Sequence, residues 1–87
     1  LYIAIKSLNL PKNSEVILPA MTWCSTLFTV VQANLKPILV DIEENSPTIS
    51  INEIKKKITK KTKLIILVHL FGECCKFSKL KQIIKNK

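Results

Sequence analysis

The apolar positions of this chain fall into short unbroken runs separated by stretches with helical spacing. Val16-Ile17-Leu18 is wholly apolar and is ended by Pro19, Pro37 to Val40 forms a second run, and Leu64 to Val68 a third. A strand with no polar alternation suits a parallel sheet covered on both faces. Between the runs the period changes. Thr22 is placed to cap a helix over Trp23 to Ala33, with Leu27, Val30 and Val31 inward and Asn34 as its left-handed end. Ser50 followed by Glu53 reads as a capping box opening a helix from Ile51 to Ile58, with Ile51, Ile54 and Ile58 on its buried side. A last helix over Lys79 to Lys85 begins near Ser78 and buries Leu80, Ile83 and Ile84, while Leu1 to Ser7 suits the tail of a helix stopped by Asn9 and Pro11. Pro37 is expected at the first position of its strand, where a missing N–H costs no ladder bond. Asp41 to Ser50 reads as a polar connection.

Three covered strands joined by helices make two successive βαβ units with right-handed crossovers, so the fold class is α/β, with a parallel sheet between helical layers. Such a sheet is unfinished at three strands. A chain of 87 residues also buries only about 60 to 65% of its unfolded surface. Leu1 lies inside an apolar pattern and Lys87 ends a helix-like run. The expectation is an internal piece of a larger domain.

Composition narrows the function classes. Hydrophobic residues make up 47% and charged residues 23% of the chain, as in ordinary folded domains. The longest apolar run, Leu64 to Val68 and on to Phe71 past His69, is far shorter than the roughly 18 residues of a membrane span. No signal peptide is legible at Leu1 to Leu10, which makes the cytoplasm the default location. The formal charge of +8 comes entirely from lysines. They fall at Lys55-Lys56-Lys57, Lys60-Lys61 and Lys79-Lys81-Lys85, where helices face water. Without arginines for base edges or interleaved aromatics, a solvated face is the better reading than a nucleic-acid surface. Cys24, Cys74 and Cys75 form no CxxC pair, and His69 is the sole histidine, so zinc-ligand spacing is missing.

Ligands of open α/β sheets sit beyond the carboxyl ends of the strands. Pro19 to Trp23, Asp41 to Glu44 and His69 to Glu73 qualify. The first turn contains no glycine and Gly72 is the only one in the chain, which excludes a dinucleotide fingerprint. Trp23 can stack on a planar heterocycle, with Thr22 and Ser25 adding hydroxyls, or it can anchor the helix under a neighbouring loop. His69 is equally open between a site residue and a satisfied strand-end histidine.

Three blocks then carry a resemblance: Ser14 to Trp23 (SEVILPAMTW), Asn34 to Ile42 (NLKPILVDI), and Ile58 to Ile66 (ITKKTKLII) followed by Val68 to Gly72 (VHLFG). In order and spacing they resemble the DegT/DnrJ/EryC1/StrS aminotransferases. Leu35 replaces the family's usual glycine before Lys36-Pro37, and Asn13-Ser14 its usual Gly-Asp. The resemblance implies part of the large domain of a fold-type I enzyme that carries pyridoxal 5'-phosphate and works as a homodimer. It implies amino-group transfer, commonly from glutamate, to a keto group of a nucleotide-linked sugar, with no nucleic acid or membrane partner. Trp23 then occupies the aromatic position that stacks on the pyridine ring. The phosphate-binding turn, the Asp that pairs with the ring nitrogen and the Schiff-base lysine are implied outside this chain, as is the smaller C-terminal domain. A cofactor-binding regulator and a non-enzymatic interaction module remain as rival classes.

Overall fold

A computed structural model describes residues 1–86; Lys87 lies outside the described residues. The elements run α1 (Tyr2–Ser7), β1 (Glu15–Pro19), α2 (Cys24–Gln32), β2 (Lys36–Val40), α3 (Ile51–Lys57), β3 (Thr62–Ile65), a 3-10 turn over Leu70–Gly72 and α4 (Phe77–Lys85). The sheet order is β2-β1-β3, and β1 pairs in parallel with both neighbours. Side chains alternate between two cores. Val16 and Leu18 join Ile5 of α1 and Val30 of α2 on one face, while Ile17 joins Ile51 and Ile54 of α3 and Leu80 of α4 on the other. The sheet is thus the middle of three layers. Because the chain steps from β1 to β2 in one direction and from β2 to β3 in the other, helices on opposite faces give both crossovers the same hand.

β1 is the axis of the domain, and Val16, Ile17 and Leu18 are fully buried. Burial of each such side chain is worth about 1.5 to 3 kcal/mol, an upper figure because the unfolded chain is itself partly collapsed.

The third strand differs from its sequence reading: the ladder covers Thr62–Ile65 instead of Leu64 to Val68. Side-chain alternation does continue, with Leu64, Ile66 and Val68 on the α1/α2 face and Ile65 and Leu67 on the other. The backbone supplies the reason. Glu15 donates its N–H to Lys61 and Ile17 accepts from Ile66, so alternate residues of β1 face β3, and Pro19 is the next of them. Its missing N–H ends the ladder. Pro37 is likewise the second residue of β2 and not the first. Lys36 turns its N–H toward Ser14, just before β1, so the amide that Pro37 lacks would face the open edge.

Other expectations are corrected in detail. Trp23, not Thr22, is the N-cap of α2; no side chain caps that helix, and the Thr22 hydroxyl lies 3.3 Å from that of Thr26. Thr26 and Val30 of α2 are buried, Leu27 packs against the same core together with the C-cap Ala33, and Val31 is exposed. Asn34 is left-handed, with φ 59°. Only half of the capping box forms. Glu53 N–H donates to the Ser50 hydroxyl at 3.4 Å, but Ser50 N–H donates to the Asp41 carbonyl and the Glu53 carboxylate pairs with Lys56. Glu43 serves α3 instead, accepting from Ile51 N–H at 3.1 Å and pairing with Lys76 at 3.3 Å. Ile42 and Ile49 form an antiparallel bridge, so the connection after β2 is a held loop. In α4, which starts at Phe77, Leu80 is buried and Ile84 exposed. In α1 only Ile5 is buried. No described helix is long and apolar enough to cross a membrane.

Candidate functional site

The order β2-β1-β3 creates a switch point between β1 and β3, where the connections leave toward opposite faces. Beyond the carboxyl ends of two such strands an open α/β sheet offers its crevice. By topology that position falls between Pro19 to Trp23 and Val68 to Glu73.

Trp23 stands at the first of these places. Its backbone is extended, φ −66° and ψ 139°, and its carbonyl accepts from Thr26 N–H at 3.0 Å. Below it, Ala20 N–H donates to the Val40 carbonyl at 2.8 Å, so the turn is tied to the sheet almost up to the indole. The side chain itself is 75% exposed. No described residue packs over the indole as a loop over an anchor would. Ser25 is exposed beside it.

The second place is built by Cys75. Its N–H donates to His69 Nδ1 at 3.0 Å and its thiol to the Val68 carbonyl at 3.3 Å. These bonds stitch the end of the loop back to the end of the strand. His69 is thus satisfied at Nδ1, as the strand-end reading expects, and its ring is exposed. Cys75 is buried and Cys74 exposed. Asp41 to Glu44, the third place, is spent on structure. Asp41 accepts from its neighbour Ile42 N–H and Glu43 holds α3 and Lys76. The Ile51 amide, followed by the Lys76 charge, keeps the Glu43 carboxyl below its ordinary range against the cost of partial burial.

The opposite end of β1 is a polar knot that sequence reasoning did not assign. Glu15 is buried; Oε2 accepts from the hydroxyls of Thr59 at 2.5 Å and Thr62 at 3.5 Å, and Oε1 faces Lys36 Nζ at 3.5 Å. The Thr59 bond above all, with Lys36 and Lys61 nearby, lowers its pKa despite desolvation. A single acid at the head of an apolar strand, with threonines before the third strand, is the signal that could have found it.

The whole chain, residues 1–87, matches the DegT/DnrJ/EryC1/StrS aminotransferase family. The chain belongs to that family. Among its relatives, the GDP-perosamine synthase of Vibrio cholerae is 34% identical over 83 residues, covering 95% of this chain and 23% of that protein. The family's solved structures carry the same fold. A putative sugar aminotransferase of Streptococcus pneumoniae in its PLP form aligns with a TM-score of 0.92 and 29% identity over 98% of this chain and 22% of its own. A GDP-4-keto-6-deoxy-D-mannose-3-dehydratase from E. coli with bound hydrated PLP aligns with a TM-score of 0.92 and 32% identity over 99% of this chain and 24% of its own. The chain therefore spans about a quarter of these relatives and has the fold of part of a fold-type I large domain.

The fit of pyridoxal phosphate to these residues rests on the Trp23 ring. A flat, exposed indole on a rigid mount at a switch point is the surface a pyridine ring needs on one face.

Proposed function

We propose that the protein to which this chain belongs transfers an amino group, donated by glutamate, to a keto group of a nucleotide-linked sugar, using pyridoxal 5'-phosphate and acting as a homodimer. The chain would contribute the Trp23 side of the large domain's cofactor site. The carrying observation is the exposed indole at the tip of β1 in a chain of this family. When bound, the cofactor supplies an electron sink for the carbon that gains or loses the amino group. Trp23 covers one ring face, excludes water from it and fixes its register; Thr22 and Ser25 line the approach. These roles are orientation, and no proton moves through Trp23.

A second reading, loss of water from the same class of sugar, is favoured by the likeness to the E. coli dehydratase. The product separates them: one gains an amino group and the other does not.

Substitution of Trp23 in the full-length protein tests the site. Loss of stacking removes about 0.5 to 1.5 kcal/mol beyond the area term, or about a two- to tenfold looser cofactor. Trp23→Ala should show this and a slower half-reaction with glutamate. Trp23→Phe should keep most of both. A folded Trp23→Ala protein with unchanged cofactor affinity would remove the stacking role.

A further inference from the structure

Leu70 to Glu73 forms a tight turn in which Glu73 N–H donates to the Leu70 carbonyl at 3.1 Å. Both central residues have positive φ, Phe71 at 55° with ψ 27° and Gly72 at 78°. This is the geometry of a type I′ turn, whose first central position favours Asn, Asp or Gly. The chain follows that preference elsewhere. Among the described residues the other non-glycine positive-φ positions are Asn9, Asn13 and Asn34. Only Phe71 places a bulky ring where the side chain crowds its own backbone.

That ring is not held there by packing within this chain, since Phe71 is 83% exposed. The turn is held from its ends, by the Cys75 amide on His69 Nδ1 and the Cys75 thiol on the Val68 carbonyl. Strain kept by the surroundings and spent on presenting a side chain marks a functional position. The presented ring lies in the turn after β3, the strand that neighbours β1, and Trp23 follows the carboxyl end of β1.

We propose that Phe71 is a substrate-binding residue, which stacks on a flat ring face of the nucleotide-linked sugar, and that His69 is the positioning residue that keeps it presented. The proposal rests on the function proposed above for the choice of ligand. The Phe71 ring supplies an apolar face against a base or against the carbon face of a sugar ring. His69 acts through its acceptor nitrogen, fixing the far end of the turn at the Cys75 amide.

Variants of the full-length protein test it. Phe71→Asn puts into the turn the residue that the chain uses at its other left-handed positions, so its melting temperature should equal or exceed the wild type's. Its affinity for the sugar should fall about threefold or more, with cofactor affinity little changed. Phe71→Tyr keeps the ring and should bind as the wild type. His69→Asn retains an acceptor near Nδ1 and should rescue much of the affinity lost in His69→Ala. Binding is read by calorimetry with GDP, UDP and dTDP, each free and linked to a 4-keto-6-deoxyhexose. Weakening of both forms assigns the base, and weakening of the linked form alone assigns the sugar ring. A lower melting temperature in Phe71→Asn, or unchanged sugar affinity, would overturn the proposal by making Phe71 a packing residue. A wild type that binds none of the probes overturns it together with the proposed substrate. A wild type that binds the sugar but not pyridoxal phosphate overturns the proposed function alone.

Discussion

At its amino end β1 begins with a buried carboxylate engaged by two threonine hydroxyls and a lysine. At its carboxyl end the same strand runs through Pro19 to an indole left open to solvent. Across the crevice, β3 repeats the contrast. Thr62 at its start is tied to Glu15, and Phe71 beyond its end is held in a left-handed turn without cover from the described residues. One rim has its polar groups satisfied; the other presents rings. The difference is the reason for proposing the site at the carboxyl rim, because satisfied polar knots fix register whereas exposed aromatics gain nothing for the fold by being exposed.

The largest effect should come from the strand that joins the two rims. Ile17→Ala removes a fully buried side chain from the α3/α4 core and should cost about 2 to 5 kcal/mol of stability. Denaturant midpoints of the full-length protein check it. A loss comparable to that from Trp23→Ala in the apo protein would erase the distinction between axis and rim.

Both rims should respond to acid, through Glu15 at the amino end of β1 and Glu43 beyond the carboxyl end of β2. Glu15 and Glu43 both titrate lower in the folded chain than their ordinary 4.5, through the Thr59 hydroxyl and the Ile51 amide respectively. The folded state then binds fewer protons than the unfolded state. Their contribution is complete above about pH 4.5 and is lost as pH falls toward the folded values. Thr59→Val removes the hydroxyl that does most to hold the Glu15 carboxyl low. Its melting temperature should lie below wild type at pH 7, and the gap should narrow as pH drops through 4 to 3. A gap independent of pH would show that Thr59 acts by packing.

Much of this was legible in sequence, because apolar runs and capping signals are local. The strand count, the helical crossovers, the parallel pairing and the left-handed Asn34 all follow from such patterns. The misplacements arose where a distant partner decided. Alternation through Leu64 to Val68 is real at the side chains, yet the ladder ends early because of a proline in another strand. Ser50 and Glu53 have the capping-box spacing, but the nearby Asp41 carbonyl takes the serine amide and Lys56 the glutamate. The block from Ile58 to Ile66, which carries part of the resemblance, supplies through Thr59 and Thr62 the hydroxyls for Glu15. Trp23 was legible as a candidate, and its exposure was not. The strain at Phe71 has no sequence signature beyond a bulky residue before the only glycine.

The smallest expected effect tests the account of where the third strand ends. Pro19→Ala restores an N–H on the side of β1 that faces β3, opposite the carbonyl of Ile66. A new ladder bond is worth about 0.5 to 1.5 kcal/mol, and the freer unfolded chain costs about 0.4 to 1 kcal/mol. The two nearly cancel, so the melting temperature should move by no more than about 2 °C. Hydrogen exchange should nevertheless change. The amide restored by Pro19→Ala should itself be protected, and Val68 N–H, which would pair with the carbonyl of the substituted residue in the extended register, should exchange more slowly than in the wild type. Drawing Val68 into the ladder also displaces His69 and the turn it holds, so sugar affinity should fall while Trp23-dependent cofactor affinity stays. If protection at Val68 does not rise, the missing amide of Pro19 is not what ends β3, and the boundary must be set instead by the Cys75 stitches on Val68 and His69.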